Sequence, residues 1–172
     1  SSAYNVWDCK IAVTNLQFLH GTLGDTSPKS VQSVALHVSA AKTAGISPEQ
    51  QAAIDNLIQN EQAIHTAIRT AVYEDYKQSY PAYREGVLLG LAMYGGNDSV
   101  DDILPTVING NELDRLVQIQ TIYVHSLCND SVTIGIECLA PWDEEHGIGV
   151  QVCGDIVTRA GTAHEAYPVP GH

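Results

Sequence analysis

SPEQQAAIDNLIQNEQAIHTAIRTAVYEDYKQSY, residues 47–80, predicts one long amphipathic helix. Ser47 is a suitable N-cap, Pro48 suits the first helical position, and Gln50 completes a capping box. Apolar residues then recur at the three- and four-residue intervals of a buried helix face. These residues are Ile54, Leu57, Ile58, Ile64, Ala67, Ile68, Ala71 and Val72. We expect the helix to span 48–78, because Pro81 cannot continue it.

The segments on either side of the helix are different in kind. Within residues 4–38, the stretches 4–13 and 31–38 are rich in β-branched and aromatic residues, and they predict two strands. A connector covers 80–116, and its apolar part at 84–96 is compatible with either a short helix or a strand.

A short helix is also expected at the end of this connector. It would run from Glu112 to Leu116, with Asn111 as its cap.

The C-terminal part, 117–160, predicts a meander of four antiparallel strands. They lie at 117–125, 130–139, 148–153 and 156–160, and Gly154-Asp155 is a suitable hairpin turn between the last two. One face of the middle strands is apolar, formed by Val132, Ile134, Ile136, Cys138, Ile148, Val150 and Val152. The other face carries small, weakly polar residues, namely Thr133, Gly135, Glu137, Gly149, Gln151, Thr158 and Ala160. Such a face is either solvated or covered by a segment that approaches closely.

Together these elements predict an α+β fold in a single domain covering 1–172. The N-terminal strands and the antiparallel meander would pack against one long central helix. A chain of 172 residues is long enough to bury a core of its own.

Cysteine usage and hydropathy indicate the compartment. The four cysteines form no C-x-x-C pair, which predicts reduced, mostly buried thiols, although their even number also allows a disulfide. The first residues lack the basic and apolar regions of a signal peptide, and no apolar run is long enough for a membrane span. We therefore expect a cytoplasmic protein.

The charge is uneven along the chain. The formal net charge is −12, and the second half, 87–172, holds 12 acids but only Arg115 and Arg159 as bases. This half would repel nucleic-acid phosphates and anionic lipid surfaces, which excludes both as expected partners. A basic protein or a divalent cation is compatible with it, and so is acidity that serves solubility alone.

The stretch CLAPWDEEHG, 138–147, is the candidate functional loop between the second and third strands of the meander. In a structural interpretation, Trp142 folds back onto the apolar face, Asp143 accepts backbone N–H groups, and a carboxylate holds His146. In a binding interpretation, an exposed Trp142 anchors a partner, and Asp143, Glu144 and Glu145 supply charge beside His146.

Two further interpretations of the loop involve chemistry. Asp143, Glu145 and His146 have the side chains of metal ligands, but their spacing matches no known metal motif, and further ligands such as His125 or His164 would be needed. Acid–base catalysis by carboxylates beside a histidine is also possible. The chain lacks a nucleophile motif, a P-loop and a dinucleotide-binding motif. We assign no metal site and no cofactor.

The run WDEEHGIGVQV at 142–152, together with VTRAGTAHEAY at 157–167, resembles a family of bacterial proteins described only as a domain of unknown function. That family is marked by a C-terminal W-D-x-E-H-G motif, and the resemblance extends back to the long helix. It implies no particular activity or catalytic residues. Small acidic bacterial domains of this kind are often suspected to be immunity proteins encoded beside toxins.

We therefore expect a non-enzymatic binding module whose partner is a basic protein, such as a toxin domain that it occludes. Its binding residues would be Trp142, Asp143, Glu144, Glu145 and His146, with further charge from Asp101, Asp102 and Asp155. The alternative is a metal-dependent enzyme that uses Asp143, Glu145 and His146.

Overall fold

The computed structural model describes residues 4–13, 32–41, 45–95, 99–127, 131–143 and 145–168, and the described residues form an α+β fold as predicted. In chain order the elements are β1 (Tyr4–Val13), β2 (Gln32–Ala41), α1 (Pro48–Gln59), α2 (Glu61–Tyr94), α3 (Val100–Ile103), a first 3₁₀ helix (Gly110–Arg115), β3 (Gln118–Val124), β4 (Ile134–Leu139), β5 (Ile148–Cys153), β6 (Ile156–Thr162) and a second 3₁₀ helix (Ala163–Ala166).

The six described strands form one sheet whose order follows the chain, from β1 to β6. All neighbours are antiparallel except β2 and β3, which run parallel, with Ala35 opposite Thr121. A parallel pair needs a long connection that returns the chain to the same end of the sheet. Helices α1 and α2 lie in that connection, so the sheet order accounts for the position of the helices between the second and third strands.

The start of α1 is fixed by the predicted capping box. The Ser47 side chain accepts the Gln50 N–H at 3.2 Å, and the Ser47 N–H donates to Gln50 Oε1 at 3.1 Å. The buried Gln50 amide also donates to the carbonyls of Ser39 and His125, at 2.6 and 3.0 Å. The same side chain therefore caps the helix and ties it to β2 and to the end of β3.

The predicted boundaries of the long helix were wrong in two places. The helix is interrupted at Asn60, where the backbone leaves helical geometry, so that α1 and α2 are separate. It then continues through Pro81 to Tyr94, so the part of the ambiguous stretch from Arg84 to Tyr94 is helix. A proline removes one helical hydrogen bond. Contacts of the turns beyond Pro81 with other parts of the chain compensate for that loss, as the hydrogen bond from Tyr83 to Asp143 shows.

The core lies between the helices and one face of the sheet. Helix α2 buries residues at a four-residue spacing, including Ile64, Ile68, Val72 and Tyr76. The predicted apolar positions were right with one clear exception, because Ile58 leaves 47% of its surface exposed. The buried positions of α1 are Gln50, Ile54 and Leu57, and Ile58 lies at the margin of the stripe that they form.

The small-residue face of the meander is covered around Gly135 and Gly149, whereas Thr158 is exposed. A Cβ atom added to Gly135 would lie 1.7 Å from the carbonyl oxygen of Ala166, and one added to Gly149 would lie 2.6 Å from the Ala166 nitrogen. His125 Nε2 also lies 2.8 Å from the Ala166 oxygen. The second 3₁₀ helix packs its backbone directly on the sheet, and only glycine allows that distance.

Two local predictions need correction. Ala160 lies on the core side of β6, because a β-bulge between Gln151 and Val152 reverses the alternation in the opposing strand. The expected helix near 112–116 is the first 3₁₀ helix, and the side chain of Asn109 caps it in place of Asn111.

The described cysteines are free thiols, but only Cys138 is buried, while Cys9 is exposed and Cys153 is half-buried. The prediction that they are mostly buried was therefore wrong for Cys9, and Cys128 lies outside the described residues. None of the described helices combines the length and the apolar character that crossing a membrane requires.

Candidate functional site

A cleft of about 290 Å³ opens beside the loop that connects β4 and β5. Three parts of the chain form it, namely the second half of α2, the end of α3 with the residue that follows it, and the connecting loop. The residues that line it are Tyr83, Val87, Ile103, Leu104, Pro141, Trp142, Asp143, Glu145 and His146. The candidate loop predicted from sequence therefore forms one wall, and the opposite wall comes from residues far away in the chain.

Trp142 forms the apolar floor of the cleft. Only 3% of its surface is exposed, and its ring meets Tyr76 of α2 edge to face, with centroids 4.9 Å apart. Tyr76 is in turn 4.6 Å from the Tyr80 ring, so Trp142 joins an aromatic row along the helix. The predicted plug role is confirmed. An exposed anchor at this position is not what the structure contains.

Asp143 is the buried polar group of the cleft, with 7% of its surface exposed. Its Oδ2 accepts a hydrogen bond from the Tyr83 hydroxyl at 2.6 Å. Its Oδ1 accepts the His146 N–H at 3.0 Å and also lies 3.0 Å from His146 Nδ1. Both predictions, that Asp143 holds the turn and that a neighbouring carboxylate holds His146, are confirmed, and the structure shows that Asp143 is that carboxylate. The carboxylate is fixed in place by three groups from two elements.

The charge around Asp143 is predominantly negative. The pKa of Tyr83 is raised to about 12, first by its hydrogen bond to Asp143, then by burial, and further by the charges of Asp143, Asp75 and Glu145. Burial and the charge of Asp143 also raise the pKa of Asp75. Three carboxylates thus act on one hydroxyl group, and the described residues that line the cleft include no Lys or Arg.

The predicted site residues differ in accessibility. Glu145 and His146 are exposed at the rim, and 55% of the His146 side chain is accessible. Glu144 lies outside the described residues. Among the additional acids, Asp101 and Asp102 lie on α3, where Asp101 pairs with Arg84 at 2.6 Å.

Asp155 occupies the β5–β6 turn, at the end of β5 opposite to the candidate loop. It therefore lies at the far end of the sheet from the cleft.

The metal-ligand arrangement is not assembled in the part of the chain that the structure describes. Those residues bring together no group of three or more His, Cys, Asp or Glu side chains that could hold an ion. Both carboxylate oxygens of Asp143 make hydrogen-bond contacts, Oδ2 with Tyr83 and Oδ1 with His146. His125, suggested as a distant ligand, lies under the second 3₁₀ helix, bonded to Ala166.

Sequence comparison assigns this chain to a family. A model described as "Domain of unknown function (DUF6985)" matches residues 24–167. The chain belongs to this family. The match includes every element from β2 to the second 3₁₀ helix, and therefore every residue of the cleft. No curated protein and no solved structure matches the chain.

The wall supplied by α2 was missed in the sequence. Tyr83 and Val87 continue the spacing of Tyr76 and Tyr80, so helical periodicity beyond Pro81 was the signal that could have found them. Ile103 and Leu104 carried no comparable signal, because α3 has only one turn and its position depends on tertiary contacts.

The burial of Trp142 predicts a large loss of stability in Trp142→Ala. Removal of this ring should lower the free energy of unfolding by about 3–5 kcal/mol, since the cavity cannot be refilled from the surface. Urea unfolding, monitored by circular dichroism, measures this change in the free energy of unfolding. The control is Trp7→Ala. Trp7 is 47% exposed, so its replacement should lower the free energy of unfolding by less than about 1 kcal/mol. Similar losses in both variants would contradict the plug role.

Asp75→Asn should stabilise the protein at neutral pH. The pKa of Asp75 is raised in the folded state, so its ionised form is less favourable there than in the unfolded chain. The penalty is absent where the carboxyl is protonated and grows as the pH rises through the folded-state pKa. We expect a higher Tm than wild type at pH 7 and a difference that vanishes in acid.

The control for this pH dependence is Asp102→Asn, on the exposed surface of α3, where no such gain is expected. Thermal melts of the three proteins over a pH series provide the comparison. An equal gain in Tm in both variants would mean that the effect comes from the change in net charge and not from the burial of Asp75.

Proposed function

We propose that this protein is a binding module, and that its cleft receives an arginine or lysine side chain of a basic protein partner. The observation that carries the proposal is the position of Asp143. A fixed, buried carboxylate lies beside an apolar cleft, and Glu145 stands at the same opening.

The two kinds of lining match the two parts of a basic side chain. Arginine and lysine have an apolar stem and a cationic end. Val87, Ile103 and Pro141 provide apolar contacts for the stem. Asp143 and Glu145 provide acceptors for the cation, and a charge-assisted hydrogen bond to a carboxylate is among the stronger polar contacts.

Trp142 serves this function indirectly. Its ring is held against Tyr76, and it is adjacent in sequence to Asp143, so it fixes the backbone from which the carboxylate projects. A pre-positioned acceptor does not have to be ordered when the partner arrives, which lowers the entropic cost of binding. Trp142 therefore holds the Asp143 carboxylate in the position from which it would bind the cation.

The overall charge supports a basic partner over a neutral one. A net charge of −12 attracts a cationic protein at long range and raises the association rate at low salt. A bacterial toxin domain with a basic active surface is a partner of this kind. Insertion of one of its basic side chains into the cleft would block that surface by occlusion, as an immunity protein does.

The proposal predicts that Glu145→Lys, alone or with Glu144→Lys, abolishes binding of a short arginine-rich peptide at low salt. The introduced ammonium repels the ligand cation at the rim. The matched control for the single variant is Asp155→Lys, which makes the same change in net charge at the opposite end of β5. Isothermal titration calorimetry measures the affinity.

The charge-matched control distinguishes binding in the cleft from a general response to net charge. Binding lost equally in the Glu145→Lys and Asp155→Lys variants would mean that the peptide responds to net charge only. Unchanged binding in Glu145→Lys would exclude the cleft as the receptor.

An enzyme that uses His146 is the second candidate. Asp143 Oδ1 lies 3.0 Å from His146 Nδ1, an arrangement in which a carboxylate orients an imidazole and leaves Nε2 on the other side of the ring. A metal-dependent form of this enzyme would use Asp143, Glu145 and His146.

The metal-dependent form predicts that Zn²⁺, Mn²⁺ or Ca²⁺ raises the Tm, and that His146→Ala removes the increase. Differential scanning fluorimetry measures both. A Tm of the wild-type protein that is insensitive to all three ions would exclude this form.

A further inference from the structure

The last turns of α2 expose an unusual number of large apolar side chains. Leu88, Leu89, Met93 and Tyr94 leave 48, 58, 73 and 86% of their surfaces accessible. They lie on several sides of the helix. A helix that is apolar all round is normally surrounded by other protein, so this end of α2, Gly86–Tyr94, has the composition of a buried element in an exposed position.

Two glycines in the same turns give an independent indication. Gly86 and Gly90 are one helical turn apart, and each glycine within a helix lowers its stability by about 1 kcal/mol relative to alanine. A Cβ atom added at either position would meet nothing within 4 Å, so nothing in the described chain requires their small size. Small residues at this spacing allow the backbones of two helices to approach closely.

We propose that a second copy of this chain covers the helix end, and that the protein is a homodimer with α2 crossing its symmetry mate near Gly86 and Gly90. In an antiparallel helix pair with twofold symmetry, each helix meets the same residues of the other. Leu89 and Met93 lie on the same side of the helix as the two glycines and pack across the contact. Tyr94 lies at the edge of this side, whereas Leu88 lies on the opposite side of the helix and outside the contact.

The charge distribution favours a second copy over a basic partner at this place. The sequence carries no charged residue from Gly86 to Asn97, in a chain whose net charge is −12. Two copies repel each other over most of their surfaces, and the repulsion is smallest where both are uncharged. A basic partner would instead gain most at acidic surfaces, and this segment offers it no carboxylate.

The exposed area is sufficient for a specific contact. With large side chains taken at about 200 Å² each, Leu89, Met93 and Tyr94 expose roughly 430 Å² per copy, and a pair would bury about 900 Å². That is near the lower limit for a stable protein interface, so the dimer should dissociate on dilution.

The test is sedimentation velocity of the full chain over a wide concentration range. We expect a concentration-dependent monomer–dimer equilibrium in the wild-type protein. Leu89→Glu combined with Met93→Glu should yield monomer throughout. The matched control combines Ile108→Glu with Ile156→Glu, which places the same charges on two other exposed apolar residues, 79 and 66% accessible, and should leave the dimer intact.

Gly86→Ala combined with Gly90→Ala separates a contact role from a merely structural one. Alanine should raise the Tm of the dilute monomer, because each methyl group improves helix propensity without a clash. The same change should weaken the dimer about tenfold or more. A wild-type monomer at all concentrations, or a dimer that persists with Leu89→Glu and Met93→Glu, would overturn the proposal.

Discussion

The edge-to-face contact between Trp142 and Tyr76 joins the two layers of this fold at the point where the candidate loop begins. Tyr76 belongs to the aromatic row of α2, and Trp142 follows the end of β4 by only a few residues. Because both rings are buried, the loop cannot move away from the helix without exposing them to water. The position of Asp143, and with it the shape of the cleft, depends on this contact.

The polar half of the cleft follows from the same constraint. Once Trp142 is fixed, the Asp143 carboxylate is held near the helix, where the Tyr83 hydroxyl can reach it. The cost of burying the carboxylate is offset by that hydroxyl and by the His146 N–H. Asp75 lies close enough for the two negative charges to interact unfavourably. This local repulsion is what an incoming cation would relieve.

Local signals in the sequence were sufficient for much of the fold, and tertiary contacts decided the rest. The capping box at Ser47 and the alternation in β4 and β5 identified elements correctly, because those signals are contained in short segments. Continuation of α2 through Pro81 was not predictable in this way, since it depends on contacts with distant residues such as Asp143. For the site, the sequence indicated the loop and the pairing of Asp143 with His146. It allowed both an inward-facing and an exposed Trp142, and it did not indicate that α2 supplies the second wall.

The parallel junction between β2 and β3 has a consequence for the order of folding. Strands β3 to β6 pair with sequence neighbours through short connections, whereas Ala35 reaches Thr121 only after the whole helical segment has been placed. Closing so long a loop has an entropic cost, which opposes this pairing until other contacts offset it. We therefore expect the β3–β6 meander and α2 to form first and the β1–β2 hairpin to dock last. During synthesis, that hairpin leaves the ribosome first and must wait, with its pairing edge unsatisfied, for a partner strand that is translated much later.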